Sequence, residues 1–168
     1  MTSVVEHPVR SEFLVLIGDM TVSFAVLEMQ IEILLETLIG EDQRVGQIIA
    51  SQLSFARLRA TVIGIYGERY GDDSGLHTLK QLMRQAAEIE QERNRITHSI
   101  WGKGTSPDTI TRIRLTCRER SGVQLQFEDY DEAKFLEFND RIKRLCNNFF
   151  IFYRRLLQKG KAPESGVD

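Results

Sequence analysis

The chain predicts an all-α fold: an antiparallel bundle of four to five helices with a small β-hairpin between the last two long helices. Three observations predict it. Apolar residues recur every three or four positions through long segments, the connections between those segments are short, and one stretch switches to a period of two. A length of 168 residues, 42% of them hydrophobic and 27% charged, suits one domain with a single core. That domain is expected over residues 1–158, followed by a polar tail, 159–168, that holds Gly160, Pro163 and Gly166.

The first helix is read from Phe13, Leu16, Ile17, Met20, Phe24, Leu27, Ile31, Leu34, Leu35 and Leu38, and it ends at Gly40. The stripe resumes at Val45 and runs to Tyr66, but its phase slips between Ser51 and Ser54. Val45, Ile48 and Ile49 form one set, and Phe55, Leu58, Val62, Ile65 and Tyr66 another, so a kink or break is expected there. Gly67, Gly71, Asp72, Asp73, Ser74 and Gly75 make a turn-rich loop. A further helical stripe follows through Leu79, Leu82, Met83, Ala86, Ile89, Ile96 and Ile100.

After Trp101-Gly102 the period becomes two. Ile113, Leu115 and Cys117 share one strand face, and Arg112, Arg114, Arg118 and Arg120 share the other. Ser121-Gly122 supplies a turn, and Val123, Leu125 and Phe127 give the return strand a matching apolar face. The result is a hairpin over about 109–128, expected to lie on the bundle. Asp129 with Glu132 offers a cap for the last helix, whose stripe is Phe135, Phe138, Ile142, Leu145, Cys146, Phe149, Tyr153 and Leu156. Phe150 and Phe152 widen that stripe, and the spare aromatic surface points to a homodimer.

The formal charge of −2 excludes a globally basic nucleic-acid binder, so any affinity for phosphate must come from a local patch. Cys117 and Cys146 lie far apart, and His7, His77 and His98 have no metal-type spacing, so neither a metal nor another cofactor is expected. Gly102-Lys103-Gly104-Thr105 lacks the spacing of a phosphate loop. No leader and no apolar span of about 20 residues is read from the pattern, and a cytoplasmic setting without membrane contact is expected.

The functional signal is Arg93-Asn94-Arg95-Ile96-Thr97-His98. At about 100° per residue, Arg93 projects onto the middle of its helix's apolar stripe. A guanidinium there must meet a carboxylate, a polar cavity or a ligand, because its desolvation costs several kcal/mol. Glu90 and Glu28 are candidate partners in a purely structural reading. His98 falls about 140° away beside Asn94, so Arg93 and His98 flank a groove rather than stack on one face. An arginine that neutralises phosphate and a histidine that moves protons near neutral pH suit metal-independent RNA cleavage, in which the substrate's own 2′-hydroxyl is the nucleophile. Asn94 would hold a phosphate oxygen or orient His98. The arginine face, Arg112, Arg114, Arg118 and Arg120, with Lys103, would guide the RNA backbone. The bland counterpart is a solvated face that protects a strand edge.

With sixteen arginines and three histidines in the chain, spacing alone is a common coincidence. The asparagine directly after the arginine makes the string rarer. On these residues, and on the surrounding helices from about 10 to 158, the chain resembles the HEPN superfamily, whose hallmark is Arg, four to six residues, then His. The resemblance implies a helical bundle, a homodimer with a composite ribonuclease site, and frequently a toxin paired with an antitoxin protein. It carries over to Arg93, Asn94 and His98. Where some members have a tyrosine two residues after the histidine this chain has Ile100, and the hairpin departs from a minimal bundle. The alternative is a non-catalytic relative that dimerises, binds a nucleotide, or binds a partner protein through the same residues.

Overall fold

A computed structural model describes residues 9–40, 43–118 and 122–159. Among them are five helices, α1 (Ser11–Ile39), α2 (Gln43–Ser51), α3 (Phe55–Tyr70), α4 (Ser74–Thr97) and α5 (Glu132–Lys159). Three strands, β1 (Ile100–Lys103), β2 (Thr109–Arg118) and β3 (Gly122–Asp131), form one antiparallel sheet in the order β1-β2-β3. The chain is mostly helical, as its periodicity implies. Its contacts group into two compact units, Met1–Phe24 with Ile89–Ile142, and Ala25–Glu88 with Lys143–Asp168.

The helix boundaries follow local chemistry. Gly40 ends α1 at φ 115° and Gly71 ends α3 at φ 70°, a backbone region that a side chain would strain. The phase slip falls where α2 stops and Ser54, in extended conformation, caps α3 by accepting the Arg57 N–H at 3.4 Å. The loop between α3 and α4 is shorter than the glycine count suggests. Gly67 lies inside α3 and Gly75 inside α4, and Asp73 caps α4 by accepting the Leu76 N–H at 2.7 Å. The cap of α5 also differs from expectation: Asp131 accepts the Lys134 N–H at 2.9 Å, while Asp129 bonds the hydroxyls of Thr105 and Thr111. Those two hydroxyls hold the Asp129 carboxyl below its usual range.

The second unit is an apolar assembly. Leu27, Ile31, Leu34, Leu35 and Leu38 of α1 are buried, as are Leu58 and Val62 of α3, Leu79 and Met83 of α4, and Phe149 and Leu156 of α5. Each such side chain, taken out of water, contributes about 1.5–3 kcal/mol. At one edge Tyr66 donates to Asp73 at 3.4 Å, and Lys159 pairs with the same carboxylate. Lys159 is the principal reason that the Asp73 carboxyl sits below its usual range.

The first unit buries Phe13, Met20, Ile96, Ile110, Phe135 and Ile142. An aromatic cluster joins sheet to helix: Trp101 stands edge-on to Tyr130 with ring centres 5.2 Å apart, and Phe135 lies 5.7 Å from Trp101 and 5.4 Å from Tyr130. Asn139 is buried and donates to the Leu16 carbonyl at 3.2 Å and to Asp19 at 3.0 Å.

Three expectations are corrected here. The sheet has a third strand, because α4 ends at Thr97 and Ile100 belongs to β1 instead of the helical stripe. The sheet is also turned over relative to the hairpin that the alternation suggests. Ile110 and Tyr130 are buried, and Arg112 beside them is only 12% exposed. The opposite, apolar face is bare: Ile100 is 67% exposed, Leu115 62% and Phe127 65%. Trp101 and Tyr130 outcompete it for the core because they meet Phe135, and Ile110 pairs with Tyr130 on the same face. Finally, α1 does contain an 18-residue window of mean hydropathy 1.6, long and apolar enough to cross a membrane by composition alone, with 33% of it buried. The periodic seam drew attention to the buried face, while Val15, Val22, Val26 and Met29 add a second apolar side that is exposed.

Candidate functional site

The end of α4 is secured by side chains in the absence of a glycine. Thr97 Oγ1 donates to the Arg93 carbonyl at 2.9 Å, the Ser99 hydroxyl donates to the Arg95 carbonyl, and Trp101 Nε1 donates to the Ile96 carbonyl at 3.0 Å. The His98 N–H still reaches the Asn94 carbonyl at 3.0 Å. Carbonyls that a helix end leaves unsatisfied are thereby occupied, and the backbone at His98 is held between helix and strand.

Asn94, Arg95, His98 and Ser99 form one wall of a groove of about 420 Å³; Ile100 of β1 and Arg112, Ile113, Arg114 and Leu115 of β2 form the other. His98 and Arg114 are exposed, and Asn94 is half-buried. The groove therefore joins an imidazole, an amide and the guanidinium groups of Arg95, Arg112 and Arg114 to apolar side chains.

Arg93 does not line this groove. It is half-buried, its guanidinium lies 4.1 Å from the centre of the Phe24 ring, and its Nε is buried without a hydrogen-bond partner among the described residues. The face of the Phe24 ring is one contact that receives the charge. The angular separation of Arg93 and His98 persists in three dimensions.

Arg112 is committed more deeply than a free phosphate-binding side chain. It donates to Glu128 at 2.6 Å, approaches Glu92 at 3.9 Å, and lies 5.4 Å from the centre of the Tyr130 ring. Glu92 also accepts from the Tyr130 hydroxyl at 2.9 Å and from Arg95 at 3.1 Å. Burial, and next the bond to Glu92, push the Tyr130 phenol well above its usual range. Arg114 is exposed on the same strand, and Lys103 is exposed at the end of β1 opposite Ile110. Arg118 pairs in register with Gly122, but its side chain, like the whole of Arg120, lies outside the described residues.

Ser99 and Tyr130 carry no signal in the sequence, Arg95 is read only as part of the Arg93–His98 string, and Glu92 only as a charge that tempers the arginine face. Arg95 and Glu92 had a legible signal in their helical i, i+3 spacing, whereas the link from Glu92 to Tyr130 spans 38 positions and has no local sign. No group of three or more metal-ligating side chains occurs among the described residues. No protein-family model, no curated protein and no solved structure matches this chain.

Proposed function

We propose that this protein is a metal-independent endoribonuclease of HEPN type, built on a HEPN-like helical bundle, acting as a cytoplasmic homodimer and serving as the toxin of a toxin–antitoxin or defence system. The observation that carries the reading is the groove in which His98 and Asn94 face Arg112 and Arg114. RNA would lie with a phosphate near Arg114. Its 2′-hydroxyl attacks the adjacent phosphorus, the bond to the 5′-oxygen breaks, and the products are a 2′,3′-cyclic phosphate and a 5′-hydroxyl. His98 polarises the attacking hydroxyl or protonates the leaving oxygen, and Asn94 holds a non-bridging oxygen. Arg112, its charge offset by Glu128 and Glu92, holds its wall of the groove in a set position and leaves the phosphate to Arg114.

A second reading, a non-catalytic interaction module, draws on Arg93. Stacked on Phe24 with a buried Nε, it has the surroundings of a structural residue. One experiment separates the two: cleavage of a mixed RNA pool in chelator by wild type, His98→Ala and Arg93→Ala, with end-group analysis and thermal melting of each. Cleavage to cyclic phosphate ends that is lost in His98→Ala supports the ribonuclease. A folded, inactive Arg93→Ala makes Arg93 part of the chemistry, whereas an active but destabilised one makes it structural. Inactivity of every protein on every RNA tried, with Arg93→Ala destabilised, favours the module.

A further inference from the structure

We infer that the bare face of the sheet is a self-association surface that a second copy of this chain covers. The inference deepens the proposed function, because it assigns the dimer contact and sets it beside the groove. Register puts Ile100, Ile113 and Phe127 in one row across the three strands, and Leu115 with Leu125 in the next row on the same face. Ile100, Leu115, Leu125 and Phe127 are each more than half exposed. At about 100 Å² apiece these four side chains present an apolar patch of roughly 400 Å², which half-buried Ile113 extends, within the range that the largest patch of a monomer covers. That is about half of the approximately 800 Å² that each partner contributes to a standard interface. Ile100, Ile113 and Leu115 also line the groove, so the contact borders it.

The occupant follows from charge. The two apolar rows carry no ionisable side chain, and Asp129, in the adjoining row of the same face, is half-buried and tied to the Thr105 and Thr111 hydroxyls, so the rows meet their own copy without like-charge repulsion. Two such sheets stack face to face at about 10 Å, and a twofold axis between them makes the contact self-complementary. The wall that carries His98 then opens at the edge of the interface.

Sedimentation equilibrium of the full chain, without RNA, tests this. Wild type is expected to dimerise, and Phe127→Glu and Leu125→Glu, each checked by circular dichroism and melting, are expected to raise the dimer dissociation constant at least about thirty-fold. Val22→Glu, exposed on α1, is expected to leave it unchanged. A wild type that is monomeric at every concentration overturns the inference, as does a dimer that Val22→Glu breaks and Phe127→Glu spares. A monomer that floats with anionic phospholipid vesicles overturns it in favour of a lipid surface. The RNA assay fails separately: a dimer sensitive to Phe127→Glu that cleaves nothing keeps this interface and removes the ribonuclease, and a cleaving monomer does the reverse.

Discussion

The two compact units bury different chemistry. In the second, spanning Ala25–Glu88 and Lys143–Asp168, the fully buried side chains of the described residues are apolar, half-buried Gln30 and Arg59 bury single polar atoms, and the Asp73–Lys159 pair stays at the rim. The first holds Ser23, Thr111 and Asn139 among its buried residues and threads Glu92, Arg112 and Tyr130 through the contact between helix and sheet. Packed apolar surface stabilises without specifying any chemistry, whereas each buried polar group must find a partner to break even. The groove lies in the unit that buries the larger polar network.

Substitutions in each unit test that contrast. Leu34→Ala, in the apolar unit, is expected to cost about 2–5 kcal/mol by leaving a cavity, measured by denaturant unfolding, while the folded fraction keeps its full RNA cleavage. Glu92→Gln removes the charge that Tyr130, Arg95 and Arg112 share. It is expected to cost about 1–2 kcal/mol, discounted for partial exposure, and to weaken cleavage by letting Arg112 move. Equal loss of stability from Glu92→Gln and Leu34→Ala, with activity untouched in both, would erase the distinction.

Tyr130→Phe is expected to cost about 1 kcal/mol near neutral pH. It should also flatten the alkaline limb of the stability profile. The Tyr130 phenol is raised in the folded state, so its contribution is complete below the unfolded value of about 10 and declines as pH rises beyond it, because the unfolded chain ionises first. An unchanged alkaline slope in Tyr130→Phe, followed by thermal melting from pH 8 to 11, would refute that assignment. The smallest effect on stability belongs to His98→Ala, within about 0.5 kcal/mol at an exposed position, accompanied by a loss of at least about a hundred-fold in cleavage.

Local patterns revealed most of the helices and little of the sheet. The α1 stripe ends at Gly40 and α3 begins after Ser54 because a left-handed glycine and a capping hydroxyl act within one turn. The sheet resisted because alternation names two faces without saying which is inside. Ile113, Leu115, Leu125 and Phe127 have the composition of a core face, yet Tyr130 and Ile110 are the ones buried, at the strand ends nearest α5. The shift of the α5 cap from Asp129 to Asp131 has the same origin, since Thr105 and Thr111 claim Asp129 from across the sheet.

By itself the sequence determined the helical class, the breaks between helices, the position of the Arg93–His98 string and the angular separation of its ends, all consequences of 3.6-residue periodicity and of capping within a few residues. Only the tertiary structure decided that Arg93 rests on Phe24, that His98 shares a groove with Arg112 and Arg114, and that the apolar face of the sheet is bare. Those outcomes depend on contacts between residues far apart in the chain, where competing partners are ranked by how well they pack and by which polar groups remain satisfied.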